Sequence, residues 1–261
     1  MSKPKYRIYP SLLDKFQTFL DSDLVAEEFW NKTPEGDYKL THEEMSEQLE
    51  KELLDTVNRA PRTSSEAADK GTAFNEVVDC MILHHECNRE DMQITYIKEE
   101  NSIQVKFNNL LFSFDADLCR NLASYFEEHI PQYTCSAILS TAYGDVELYG
   151  HIDYVGTSRV CDLKTTKNYK FGNYEKYWQR FVYPYCLIES GDLEEVEEFE
   201  FTVVEWKERK NKPITGDLYK EVYTYSHKAA MARLTTICES LIEWLEMHRD
   251  VITDQKVFGG E

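Results

Sequence analysis

Residues Gly150–Tyr185 read GHIDYVGTSRVCDLKTTKNYKFGNYEKYWQRFVYPY. The first half alternates as strands do, breaks at Gly156–Ser158, and resumes as the apolar run VCDLK. From Asn173 to Ser190 the pattern is that expected of a helix. Strand, turn, strand, helix is the succession of an α/β sheet.

The polar residues inside those strands need an explanation. Asp162 and Lys164 are two apart, so on a strand both side chains point to one face, with Val160. Cys161 and Leu163 point the other way, into packing. As a surface ion pair Asp162 and Lys164 would contribute only about 0–1 kcal/mol. As chemistry they do more: a carboxylate binds Mg²⁺ or Mn²⁺ through oxygen, and an ammonium offsets charge developing on a phosphate. A hairpin through Gly156–Ser158 brings Asp153 beside Asp162, and the Leu163 carbonyl is a further candidate ligand. Gln179 and Tyr183 are four apart on the following helix and share a face, with Lys176 three positions earlier on the same side.

The wider chain frames this stretch. It has 261 residues, 42% hydrophobic and 13% aromatic, enough for a sizeable core in one large domain. A formal net charge of -19 argues against a protein that coats nucleic acid by bulk charge. Arg159–Arg180 is locally basic, however: Arg159, Lys164, Lys167, Lys170, Lys176 and Arg180 stand against Asp162 and Glu175. Lys207–Lys212 (KERKNK) adds a second basic patch, and Tyr169, Tyr174, Tyr177 and Trp178 suggest an aromatic rim for a DNA strand. Cys80, Cys87, Cys119, Cys135, Cys161, Cys186 and Cys238 are widely spaced without a CxxC, so zinc and iron–sulfur sites are not expected. Buried free thiols in a reducing cytosol are expected instead. No window resembles a signal sequence or a membrane span.

Outside the central stretch, helices are expected over Tyr9–Asp23 with Ser11 as N-cap, and from Thr41 with a Thr41–Glu44 capping box. Further helices are expected around Ala67–His85, over Ala116–Ile130, and over His227–Ile252 with Ala230, Leu234, Ile237, Leu241 and Leu245 inward. Ile94–Asp115 reads as a β-hairpin, Thr134–Thr166 as several short strands, and Glu197–Tyr225 as two strands joined by the basic turn. The tail Thr253–Glu261 is expected to fray.

The ordered trio GHID, DLK and QRFVY resembles the PD-(D/E)XK nuclease superfamily, in its RecB-like and lambda-exonuclease-like branch of exodeoxyribonuclease VIII type. YPSLLDKFQTFL is similar to the helix that opens many RecB-like domains. The resemblance covers mainly 150–185, with weaker echoes at 10–20 and 71–79. It implies an α/β fold with a central mixed β-sheet flanked by helices, a restriction-endonuclease-like core at about 65–205, N-terminal helices at 10–60, and a C-terminal hairpin and helix at 199–252, all in a single domain of 1–261.

It implies metal ligation by Asp153 and Asp162, catalysis by Lys164, and support from Gln179 and Tyr183. It also implies DNA contacts from Lys167, Lys170, Lys176 and Arg180. The branch often carries a metal-binding His in G-x-x-x-H; here Gly71 is in place and Asn75 stands where that His would be. The expected activity is an Mg²⁺- or Mn²⁺-dependent exonuclease acting on DNA ends in recombination, repair or phage DNA processing. The expected setting is the cytoplasm of a bacterial or phage-infected cell, with a recombination protein partner or a homo-oligomer and no membrane. The alternative is a catalytically weakened relative that binds DNA or a protein without cutting.

Overall fold

The computed structural model describes residues 4–61 and 63–260; expectations touching residues 1–3, 62 and 261 lie outside them. Its main sheet is mixed. Strands β1 (Tyr6–Ile8), β6 (Gly144–Val155), β7 (Arg159–Thr166), β8 (Glu198–Lys207) and β9 (Thr215–Thr224) follow in that order, and β5 (Ile130–Thr141) also pairs with β6. The smaller sheet is a meander of β2 (Met92–Ile97), β3 (Ser102–Phe107) and β4 (Leu110–Asp115). Left-handed Asn101, Asn108 and Asn109 turn the chain between these strands, so Ile94–Asp115 holds three strands where a hairpin was expected.

Both faces of the main sheet are covered. On one face, α1 (Pro10–Leu20), α3 (His42–Val57), α6 (Gln179–Glu189) and α7 (His227–Met247) pack with Val160, Phe199, Phe201 and Val203. On the other, α4 (Glu66–Ile82) and α5 (Ala116–Tyr125) pack with the small sheet against Cys161, Leu163 and Val204. The alternation expected of VCDLK is therefore observed, with Val160 in one core and Cys161 and Leu163 in the other. Ala230, Leu234, Ile237, Leu241 and Leu245 are all buried, each buried leucine or isoleucine removing apolar area worth about 1.5–3 kcal/mol. A short helix, α2 (Ser22–Ala26), extends α1.

Local expectations fare unevenly. The Thr41–Glu44 capping box is present. The first helix starts two residues earlier than expected: Tyr9, not Ser11, is its N-cap and Pro10 is its first residue, where a missing N–H costs nothing. Thr134–Thr166 holds long strands, not several short ones, because Gly150 lies inside β6 and marks no turn. The tail does not fray: Gln255–Phe258 forms a 3-10 turn, Val257 is buried, and Gly259 packs against the backbone of Pro4.

The fork that matters for the site is in β6. On one edge it pairs parallel with β1 as far as Leu148, and antiparallel with β7 only from Tyr154 to Val155. Between these points no strand among the described residues pairs with that edge of β6, and β7 splays away. On the opposite edge, the β5–β6 ladder skips the Gln132–Asp153 position, where Gln132 takes a left-handed φ of 51°. Ile152 packs in the first core and Tyr154 in the second, so the strand changes phase across Asp153. That irregularity turns Asp153 toward the face carrying Asp162 and Lys164.

Candidate functional site

One step beyond the last β6–β7 pair, Asp153 and Asp162 oppose each other. Asp153 Oδ2 accepts the Leu163 backbone N–H at 2.8 Å, in place of a ladder carbonyl. The N–H and C=O of one strand residue point the same way, so the Leu163 carbonyl also faces the fork. Lys164 Nζ lies 2.7 Å from Asp162 Oδ2 and donates to Gln179 Oε1 at 2.7 Å. Gln179 Nε2 donates to Asp162 Oδ1 at 2.5 Å and to the Tyr183 hydroxyl at 3.3 Å. The structure thus brings Asp153, Asp162, Lys164, Gln179 and Tyr183 together.

Charge is unbalanced there: two carboxylates face one ammonium. Burial, then the neighbouring Asp162, pushes the Asp153 carboxyl well above the usual carboxylate range. Burial disfavours the Lys164 ammonium, but attraction to Asp162 prevails and holds its pKa above the ordinary value.

Asn75 lies on α4, the helix packed on the Leu163 side of β7. A Cβ on Gly71 would lie 3.0 Å from Thr165 Oγ1, and Asp79 Oδ1 accepts the Tyr154 hydroxyl at 2.8 Å. Gly71, Asn75 and Asp79 form one stripe of α4, spanning about 12 Å. Asn75 is its midpoint. Its Oδ1 is buried and has no hydrogen-bond partner among the described residues.

The expected basic and aromatic rim is only partly present. Lys167, Lys170 and Lys176 are exposed, Lys167 lying 3.8 Å from Glu208. Arg180 does not join them; its guanidinium stacks on Phe181 and Tyr223. Lys176 does not share a helical face with Gln179, because the helix begins only at Gln179. The preceding loop is held open by carboxylates: Glu221 accepts from the Tyr169 hydroxyl (3.0 Å) and Gly172 N (2.9 Å), and Glu205 accepts from Tyr169 N (2.9 Å). Gly172 has φ +85°, which a helix excludes. Tyr174 and Trp178 are buried and Tyr169 stacks on Tyr219, so of the four aromatics only Tyr177 lines the opening.

That opening is a cavity of about 770 Å³, lined by α1 and α3 residues opposite Lys164, Tyr177 and Gln179. It adjoins a second cavity of about 400 Å³ that shares Tyr9, Ser11, Arg59 and Gln179 and reaches Gly150 and Tyr183. Asp14 on α1 lines the first cavity and was not singled out from sequence. Its Oδ1 accepts Trp178 N at 2.8 Å, at the N-terminus of α6, and burial raises its pKa to about 6. Phe171, 78% exposed between Lys170 and Lys176, also escaped notice; an aromatic between basic residues is a legible signal for strand stacking. Asp79 is a third: it is buried and accepts from Tyr154 and Gln132.

No family model matches the chain, and no curated protein matches it. A solved structure described as the crystal structure of SSO0001 shares 10% sequence identity across 94% of this chain and 79% of that chain, with a TM-score of 0.36. Similarity at that level establishes neither fold nor activity. Among the described residues no helix is long and apolar enough to cross a membrane.

Proposed function

We propose that this protein is a metal-dependent deoxyribonuclease with a restriction-endonuclease-like PD-(D/E)XK core, an exonuclease acting on DNA ends. The observation carrying this reading is the meeting of Asp153, Asp162 and Lys164 at the β6–β7 fork, behind an open cavity. The residues present fit a hard divalent cation. They are oxygen donors with excess negative charge, and one of them, Asn75 Oδ1, is a buried acceptor lacking a donor. Asp153 and Asp162 would hold the ion, with the Leu163 carbonyl and Asn75 Oδ1 completing the set. Mg²⁺ or Mn²⁺ supplies positive charge for phosphoryl oxygens and acidity for an attacking water.

The chain's own groups divide the remaining work. Lys164 is poised to offset charge building on the phosphate. Gln179 holds the ammonium and Asp162 in register, and Tyr183 buttresses Gln179. Lys167, Lys170 and Lys176 provide phosphate contacts around Phe171, letting a locally cationic loop recruit DNA to an acidic protein. Work on DNA ends suits recombination, repair or phage DNA processing.

One observation favours a second reading, binding without cleavage: Gln179 and Lys164 already engage both oxygens of Asp162. Incubating end-labelled linear duplex and single strands beside closed circular DNA, in Mg²⁺ or Mn²⁺, separates the two. Metal-dependent loss of linear DNA, abolished by Lys164→Ala and by Asp162→Asn, is expected. DNA retained intact by folded wild-type protein in both metals supports the second reading. Cleavage of the circle would make the enzyme an endonuclease.

A further inference from the structure

Seven cysteines are free, and five of them are buried in the cores. The other two, Cys80 and Cys87, are half-buried and converge on one carboxylate. Glu76 and Cys80 are four apart on α4, so they share a face. Past the end of α4, His84 adopts φ 52° and the chain doubles back, returning Cys87 to the same face. Cys80 Sγ lies 3.7 Å and Cys87 Sγ 3.3 Å from the same oxygen, Glu76 Oε1. The three donor atoms all lie within 4.8 Å of one another.

We propose that Glu76, Cys80 and Cys87 form a second metal site, separate from the fork and selective for a thiophilic divalent cation such as Zn²⁺.

The distances support this. With zinc–sulfur bonds of about 2.3 Å and zinc–oxygen bonds of about 2.0 Å, a tetrahedral ion holds sulfur and oxygen about 3.5 Å apart. The two observed separations fall on either side of that value, so an ion can enter with small rotations of three side chains. Two thiolates and a carboxylate are a soft set, unlike the oxygens at the fork, and the two sites therefore select different metals. His85 lines both cavities that Cys80 lines, but its Nδ1 lies 2.7 Å from the Glu86 carbonyl and its ring is not part of the cluster, so a water molecule would complete the tetrahedron.

Burial, reinforced by Glu76, raises the Cys80 thiol to about 12, and burial also raises Cys87. A thiol must give up its proton to bind a cation, so binding at this site releases protons and weakens in acid. The site ties the C-terminal half of α4 to the segment entering β2. The wide spacing of the cysteines hid it, because its third donor, Glu76, is unremarkable in sequence.

The test uses reduced, chelator-treated full-length protein titrated with Co²⁺, then Zn²⁺. One equivalent of Co²⁺ per chain should produce a thiolate-to-cobalt charge-transfer band that Zn²⁺ abolishes. Cys87→Ser should lose the band, Glu76→Gln should weaken Co²⁺ binding at least tenfold, and Asp162→Asn should leave it unchanged. Independently of any variant, Zn²⁺ should protect Cys80 and Cys87, and no other cysteine, from alkylation as read by mass spectrometry. Absence of the band in folded wild-type protein, its survival in Cys87→Ser, or unprotected thiols would overturn the proposal.

Discussion

The ring of Tyr183 occupies the space a side chain at residue 150 would need: a Cβ on Gly150 would stand 2.6 Å from Tyr183 Cε1. The glycine in β6 is thus the seat of the tyrosine that buttresses Gln179. Gly150→Ala should cost about 1–3 kcal/mol of stability by overpacking, measured by urea denaturation. It should also lower nuclease activity by displacing Tyr183. The Gly150→Ala/Tyr183→Ala pair should lose less stability than the sum of the single changes, because the clash disappears with the ring.

Asn75 should tune the fork's affinity for metal. Asn75→Ala removes the unpartnered oxygen and should weaken Mn²⁺ binding several-fold by calorimetry, whereas Asn75→His should strengthen it. Equal affinities in all three proteins would remove Asn75 from the ligand set.

Divalent metal should stabilise the fold by relieving the Asp153–Asp162 repulsion. Mn²⁺ at a hundred times its dissociation constant should add about 2.7 kcal/mol, seen as a rise in Tm. Chelation should reverse the rise, and Asp153→Asn should abolish it. Because the thiol site also answers to metals, the measurement belongs in a Cys87→Ser background.

Asp14 predicts a pH dependence. Its native pKa, raised by burial to about 6, exceeds the usual carboxylate value, so the folded state holds this proton more tightly than the unfolded chain. Its contribution to stability is therefore greatest below pH 4 and declines as pH rises through about 6. Asp14→Asn keeps an acceptor for Trp178 N and avoids the buried charge. In metal-free buffer its stability relative to wild type should grow by about 1–3 kcal/mol between pH 4 and pH 7. A difference independent of pH would show that the proton is not bound there.

Phe171 should matter for DNA and not for folding. With 78% of its surface exposed, Phe171→Ala should leave Tm unchanged. It should weaken binding of a single-stranded end by about 1–3 kcal/mol if a base stacks on the ring. Fluorescence anisotropy in Ca²⁺, to suppress cleavage, reads this directly.

What was legible in the sequence was what local pattern determines. The alternation of VCDLK, the Thr41–Glu44 capping box and the apolar stripe of α7 all depend on residues a few positions apart. Spacing also paired Asp162 with Lys164 and Gln179 with Tyr183, but that the two pairs meet was an expectation of the family resemblance and not of local pattern. What was missed depends on distant partners. Residues 173–178 read as the start of the helix, but they belong to a loop that Glu205 and Glu221, from strands far along the chain, anchor at Tyr169 and Gly172. Arg180 looks like a phosphate contact until Tyr223 arrives beneath it. Asp14 gains its position from α6, and Glu76 gains its role only when Cys87 returns to α4.

The pairing of β1 with β6 has a kinetic consequence. Arg7 meets Glu147, 140 positions along the chain, and the 3-10 turn at Gln255–Phe258 packs against the same short strand. Contacts of such sequence separation are slow to form, since a long loop must close before they gain anything. On the ribosome, the first strand emerges long before its partner and must wait, unpaired, through the synthesis of the small sheet and its helices. β1 is locked in only when β6 and then the Gln255–Phe258 turn reach it, so the groove beside α1 should be among the final features to assemble and the first to loosen.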